Sequence, residues 1–344
     1  MSAVLRTDAE KTAHIKQVVL AEGQRLRQAH PWLKRQDALG ALIMAASLAG
    51  MVGSGWLYAI GVLPWWVCLP LSAIFASFIH ELEHDLIHWM YFRQNKPAHH
   101  LMMALCWLSR PGTINPWIRR KLHFEHHKHS GTHKDLEERG ITNGQPYSLK
   151  RLLMMSDWLL ALWLRVPQMP TRKRQLLLGL VAPLGYFPMG WIHLGLWYAF
   201  LAFHLGNAGA ALLGSEIAWS AGFSAAQPWI TLAVVTWVGP NQLRMFCLHF
   251  VSSTMHYYGD VEDDNPMQQT QVLNPGWLLP FQLFCFNFGS THAIHHFVVK
   301  EPFYIRQWTA PVAHRVMREM GVRFNDTATF KRANRFGEDA TAGA

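Results

Sequence analysis

Charge is what this chain has least of. Only 15% of its 344 residues are Asp, Glu, Lys or Arg, whereas a soluble protein of similar length carries about 25%. The deficit is concentrated: Ala38 to Ile79 contains no charged residue, and neither does Gln175 to Ser215 or Ile217 to Leu243. A bilayer crossing needs roughly 20 apolar residues, so these runs exclude an ordinary soluble domain and point to an integral membrane protein. Cysteine is scarce too. Cys68, Cys106, Cys247 and Cys285 are far apart and form no C-x-x-C, which argues against cysteine metal sites and disulfides and leaves thiols buried in protein or lipid. A secretory signal is missing: residues 1–37 are polar and mixed in charge, so the chain is expected to insert through its own spans. There is no internal repeat. Nor does a nucleic-acid-binding motif accompany the net charge of +9, so membrane topology and anionic lipid explain the excess better than nucleic acid does.

The first charge-free run is long enough for two helices, with Gly61 and Pro64 of "AIGVLPWW" as the natural turn. Residues 80–174 follow as a polar stretch carrying Arg119, Arg120, Lys121, Lys128, Arg172, Lys173 and Arg174. The positive-inside rule assigns that stretch to the cytoplasm, and the basic N-terminus agrees with it. Residues 175–248 have the length of three apolar helices but are interrupted by Pro183, Pro188, Gly190, Gly206, Gly209, Pro228 and Pro240. If the basic C-terminal segment is also cytoplasmic, the number of crossings is even. The expected fold is therefore an all-α integral membrane protein with four, alternatively six, transmembrane helices and a cytoplasmic helical cap, in the inner (cytoplasmic) membrane. Its three parts are a cytoplasmic or interfacial N-terminal helix at 1–37, a membrane domain at 38–310 and a cytoplasmic tail at 311–344, loosely ordered from about Asp326. In the first helix Thr7 and Glu10 have capping-box spacing. Its apolar residues Ile15, Val18, Val19 and Leu26 suit either a membrane interface or packing on the rest of the protein.

Histidine is abundant, with 20 residues. "HELEHDLIHW", residues 80–89, opens as H-E-x-x-H, the zinc-protease signature in which two His hold zinc and the Glu acts as base. Two later groups argue against that reading. His123, His126 and His127 in "HFEHHKH", and His292, His295 and His296 in "HAIHH", both have the form H-x-x-H-H. This spacing puts i, i+3 and i+4 on one helical stripe with the adjacent pair splayed apart. With His80 and His84 these make eight imidazoles, too many for one zinc and suited to two metal ions. Imidazole accepts iron, zinc, copper and nickel, so ligand type alone does not choose. His88, His129 and His133 are assigned ordinary hydrogen-bonding roles.

H-x-x-x-H, H-x-x-H-H and H-x-x-H-H, in this order around paired spans, resemble the three histidine boxes of the integral-membrane fatty acid desaturase and hydroxylase superfamily. The likeness runs over about residues 38–310, and "HHFVVKEPFYIRQW" is similar to the "HH…PFY" continuation of many members. The resemblance implies two irons with O2 as co-substrate, and a further ligand helix before the third box. Here "LHFVSSTMHYYGD" offers His256 for that extra ligand, with His249 as a weaker candidate. Ser252 stands where acyl desaturases have an Asn that assists through water. The implied metal set is His80, His84, His123, His126, His127, His256, His292, His295 and His296. In such a site Glu81, Glu83, Asp85, Glu125 and Asp260 are candidates to accept the second ring N–H of liganding His. Glu81 thereby loses the role of base.

The resemblance further implies an oxidoreductase acting on a fatty acid or fatty acyl chain. A desaturase is the leading reading. Decarboxylation of free fatty acids to terminal alkenes comes next, then alkane or acyl hydroxylation. A non-catalytic His-rich membrane metal-binding protein is the alternative from another class. The substrate chain is expected between the spans, and Arg119, Arg120 and Lys121 are candidates to hold its head. With no haem, ferredoxin or flavin motif in these residues, electrons are expected from a separate ferredoxin, rubredoxin or cytochrome with its reductase.

Overall fold

The computed structural model describes residues 7–137 and 144–337. Among these it is helical throughout, with two isolated backbone bridges, His256 to Thr270 and Val272 to Phe324, and no strand. Helix α1 (Asp8–Ala29) starts at the expected capping box: Glu10 N–H donates to Thr7 Oγ1 at 3.3 Å, and Thr7 N–H donates back to Glu10 Oε2 at 2.8 Å. Helices α2 (Gln36–Ala59) and α3 (Trp65–Ile87) form the first hairpin, turning at Gly61, whose φ is 78°. Small residues let the two approach closely. The Ser54 and Ser72 hydroxyls meet at 2.7 Å, and a side chain added at Gly50 would collide with the Phe75 ring.

α2 and α3 are each long and apolar enough to cross a membrane. A third candidate is the bent pair Arg172–Tyr186 and α6 (Met189–Leu212), whose axes turn by 95°. Helix α7 (Ala221–Ala233) continues through a π-helical turn, Val234–Val238, into α8 (Gly239–Met255). By length and composition the described residues thus hold two spans, or up to three.

The cap is built where α3 leaves the apolar layer. Trp65 and Trp66 at its start are exposed, whereas every residue from Ile79 to Ile87 is buried. Helices α4 (Lys96–Ser109), α5 (Pro116–His129), α9 (Phe288–Phe297) and α10 (Phe303–Glu319) complete the cap with α1. Of the two readings of α1, packing on the protein is the one observed: Ile15 and Val19 join the core with Ile294 and Val316, and Leu26 meets Leu33 and Ile305. Arg27 clamps the contact through a two-pronged ion pair with Glu301, 2.6 Å at its shorter arm.

Two expectations concern the C-terminal part. The boundary at residue 310 falls inside α10. The segment from Asp326, read as loose from its polar composition, is tied down as far as Gly337. Asp326 accepts from the Tyr257 hydroxyl at 2.8 Å, and Asp260 accepts the backbone N–H groups of Phe336 and Gly337 at 2.7 and 2.8 Å. The Asn334 side chain donates to the carbonyls of Ser253 and His256. Residues 338–344 lie outside the described residues.

Candidate metal centre

His80, His84 and His88 recur every four residues and therefore share one stripe of α3. Helix α3 stops at Ile87, leaving His88 as its C-terminal cap. Helix α5 presents His123, His126 and His127, α9 presents His292, His295 and His296, and His256 caps α8. These four elements converge on two groups of ring nitrogens. One consists of His84, His88, His123 and His295; the other of His126, His256, His292 and His296; within each, the candidate ligand atoms lie within 4.8 Å of one another.

His127 sits at the seam. Its Nε2 is 3.0 Å from that of His295, 3.1 Å from His123 and 3.3 Å from His88, while its ring centre is 5.3 Å from that of His296. His80 lies outside both groups, with Nδ1 3.3 Å from Glu81 Oε1 and Nε2 3.5 Å from Arg119. His88, which the sequence reading left to an ordinary role, takes a place in the first group instead. His249 faces the Met155 carbonyl at 3.2 Å, away from both groups. His129 and His133 contact Asp263 and Tyr258.

The donor set fits metal. A carboxylate or carbonyl can only accept, so Glu137 at 2.7 Å from His123 Nδ1, Asp135 at 2.8 Å from His126 Nδ1 and the Ser252 carbonyl at 2.9 Å from His256 Nδ1 each fix a proton on Nδ1. The Nε2 atoms of these neutral rings then carry lone pairs turned toward the centre of each group. His123 Nε2 faces His88 Nε2 at 3.0 Å, and His256 Nε2 faces His296 Nε2 at 3.4 Å. His84 is buried with no hydrogen-bond partner on either ring nitrogen, and His295 Nδ1 has none either. Converging lone pairs with no protein donor between them are what a cation relieves.

Protonation does not supply that cation. Burial, reinforced by neighbouring imidazoles and for His88 also by guanidinium groups, pushes the pKa of His88 down to about 2 and that of His256 to about 4. The same causes hold His123, His127, His292, His295 and His296 well below the usual imidazole range.

The sequence model of the fatty acid desaturase family matches residues 60–328. The chain belongs to the fatty acid desaturase family. No curated protein matches it. Family membership, the buried histidine groups and the apolar helices together make it a membrane oxidoreductase of fatty acid metabolism.

Of the carboxylates expected to orient ligands in this desaturase-family site, none accepts a hydrogen bond from a histidine of either group. Glu83 is taken by Arg110 and Arg119. Asp85 accepts from the Tyr91 hydroxyl, Phe303 N–H and Arg306, and Glu81 also pairs with Arg306. Glu125 is exposed beside Lys128, and Asp260 holds the tail. The orienting role falls to Asp135 and Glu137, just after the second box. Gly131 makes this return: its φ is 77°, and a side chain there would collide with the Tyr257 carbonyl. Its N–H donates to Asp135 at 3.0 Å.

The basic residues considered for a substrate head are also engaged. Arg119 pairs with Glu83 and Glu137. Arg120 lies over the Trp89 ring at 4.2 Å and donates to His99 and the Leu86 carbonyl, while Lys121 is exposed.

Proposed function

We propose that the protein is an O2-dependent di-iron oxidase of fatty acid or fatty acyl chains, with desaturation as its leading reaction. The observation that supports this is the pair of adjacent all-histidine groups. His84, His88, His123 and His295 would hold one iron, and His126, His256, His292 and His296 the other. His127 lies between them, near enough to serve either ion. His80, in the sequence-derived set, has no place in either group and acts in the surrounding polar shell.

Two irons bound there would reduce O2 with electrons from a separate donor and oxidise an unactivated C–H bond of the substrate. The chain's own residues keep eight imidazoles neutral and converged and fix tautomers through Asp135, Glu137 and the Ser252 carbonyl. They also shield the eight rings from solvent by burying them. Ferredoxin, rubredoxin or a cytochrome with its reductase would supply the electrons. Four crossings would comprise α2, α3, the bent Arg172–Leu212 segment and the run from α7 into α8, with the histidine cap on the cytoplasmic side of the inner membrane.

The second reading is oxidative decarboxylation of a free fatty acid to a terminal alkene. It is favoured by the unpartnered guanidinium nitrogens of buried Arg110 and Arg244 in the neighbourhood of His80, which suit a charged acid head. Protein purified gently and supplied with O2, a reductase, its carrier and free fatty acids of several lengths separates the reactions by mass spectrometry. An internal double bond identifies a desaturase, an alkene one carbon shorter a decarboxylase, and an added oxygen a hydroxylase. Metal analysis is expected to find about two irons per chain; one tightly held zinc and no iron would overturn the oxidase reading.

A further inference from the structure

Arg244 on α8 is a buried cation with no ion-pair partner among the described residues. It is 1% exposed, its Nε reaches Asn241 Oδ1 only at 3.5 Å, and its NH1 has no hydrogen-bond partner. Glu83 of α3 is the carboxylate in its neighbourhood, but both Glu83 oxygens are occupied, Oε2 by Arg110 and Oε1 by Arg119 at 2.8 Å. Glu81 and Asp85, further along α3, are bound to Arg306. Arg110 is fully buried as well, and its Nε and NH1 have no partner.

The groups that interact electrostatically with Arg244 include Arg110, Arg119, Glu83, Cys285, His80, His249 and Cys247, and among the described residues no carboxylate is left free to pair with it. An ionised group buried in this way is costly to keep and marks a ligand site when no protein partner balances it. His80 lies among these guanidinium groups, 3.5 Å from Arg119. Its ring is 6.1 Å from Phe288, which stacks on His292 of the second histidine group at 4.0 Å. Phe288 therefore links His80 to the second histidine group.

We propose that Arg244, with Arg110 and His80, forms a buried carboxylate site that holds the head of a free long-chain fatty acid, its acid end beside the metal centre. The proposal rests on the reading of the protein as a fatty acid oxidase and narrows the substrate to the free acid. A guanidinium matches a carboxylate in both charge and two-pronged geometry. The thioester group that joins an acyl chain to coenzyme A or a carrier protein has no such charge at the end of the chain. An inorganic anion could match the charge without using the apolar surroundings, so the test separates the two.

The test uses full-length protein in neutral detergent, stripped of metal so that iron cannot supply the carboxylate affinity. Binding of dodecanoic acid, 1-dodecanol and methyl dodecanoate is compared, with acetate and phosphate as competitors. The acid is expected to bind at least ten-fold more tightly than the alcohol or the ester, with neither small anion displacing it at comparable concentration. In Arg244→Met the preference should vanish while alcohol binding is unchanged. Equal affinity for acid and alcohol in the parent protein overturns the proposal and needs no variant. A preference that survives in Arg244→Met also overturns it, as does displacement by phosphate alone. Should the metal-loaded protein prove inactive on every fatty acid while the acid preference stands, the oxidase reading fails and the carboxylate site remains.

Discussion

In the second histidine group His126 and His256 each hand an Nδ1 proton to a fixed acceptor, Asp135 and the Ser252 carbonyl, whereas in the first group His84 has no partner on either ring nitrogen. The nearest carboxylate oxygen to the His84 ring, from Asp85, is 3.9 Å away. Two of the second group's four rings are thus oriented before any ion arrives. The first relies on Glu137 behind His123 and on a rigid helix: Arg306 ties Glu81 and Asp85 of α3 to α10. Orientation of a ligand's outer nitrogen raises metal affinity, so the two sites should differ in how firmly they hold an ion.

The largest effect should come from the ligands themselves. His84→Ala and His256→Ala are both expected to abolish turnover, but metal analysis should find the second-group ion retained in His84→Ala and lost in His256→Ala. Stepwise removal by a chelator, followed by metal content per chain, should empty the first group before the second; simultaneous release would break the comparison. Arg306→Met leaves two buried carboxylates unpaired and should cost about 3–5 kcal/mol of stability in chemical denaturation. Asp135→Asn should lower metal affinity or activity by about 10- to 100-fold through the second group, and Glu137→Gln by a similar factor through the first; metal titration of each variant would reveal any crossover.

The smallest effect concerns His99, outside both groups. Its Nδ1 donates to the Tyr91 carbonyl at 2.9 Å, its Nε2 accepts from Arg120 at 2.6 Å, and burial lowers its pKa to about 4. The unfolded chain binds a proton there below about pH 6.5 while the folded one does not. Its contribution is therefore complete above about pH 6.5 and is lost as pH falls toward 4. The fall in unfolding midpoint over that range should be shallower in His99→Gln than in the parent.

Much of this organisation was legible because it is periodic or compositional. Charge-free runs marked α2 and α3, and spacing of three and four residues marked the second and third boxes. His88 was missed for a definable reason. "HELEHDLIH" contains H-x-x-x-H twice, and helical spacing puts His80, His84 and His88 on one stripe without telling which of them meet α5 and α9. That depends on where α3 ends and how the other helices dock. Asp135 and Glu137 escaped because the chain reverses at Gly131, and a loop has no period from which to read direction. Arg244 was passed over as part of an apolar run's edge; its significance lies in the absence of a partner, which only the packing reveals. The tail read as loose because its anchors are backbone carbonyls, and composition does not register them.

That tail alters the order in which the site can come together. Every histidine of both groups is synthesised before residue 326, yet the carbonyls of Ser253 and His256 wait for Asn334. A chain cut after Asn325 would keep its full ligand inventory and still lack the clasp on the strand-like exit from α8. In the growing protein the pocket of the second histidine group is therefore finished last, so an ion entering it would be clasped only once residue 334 is in place.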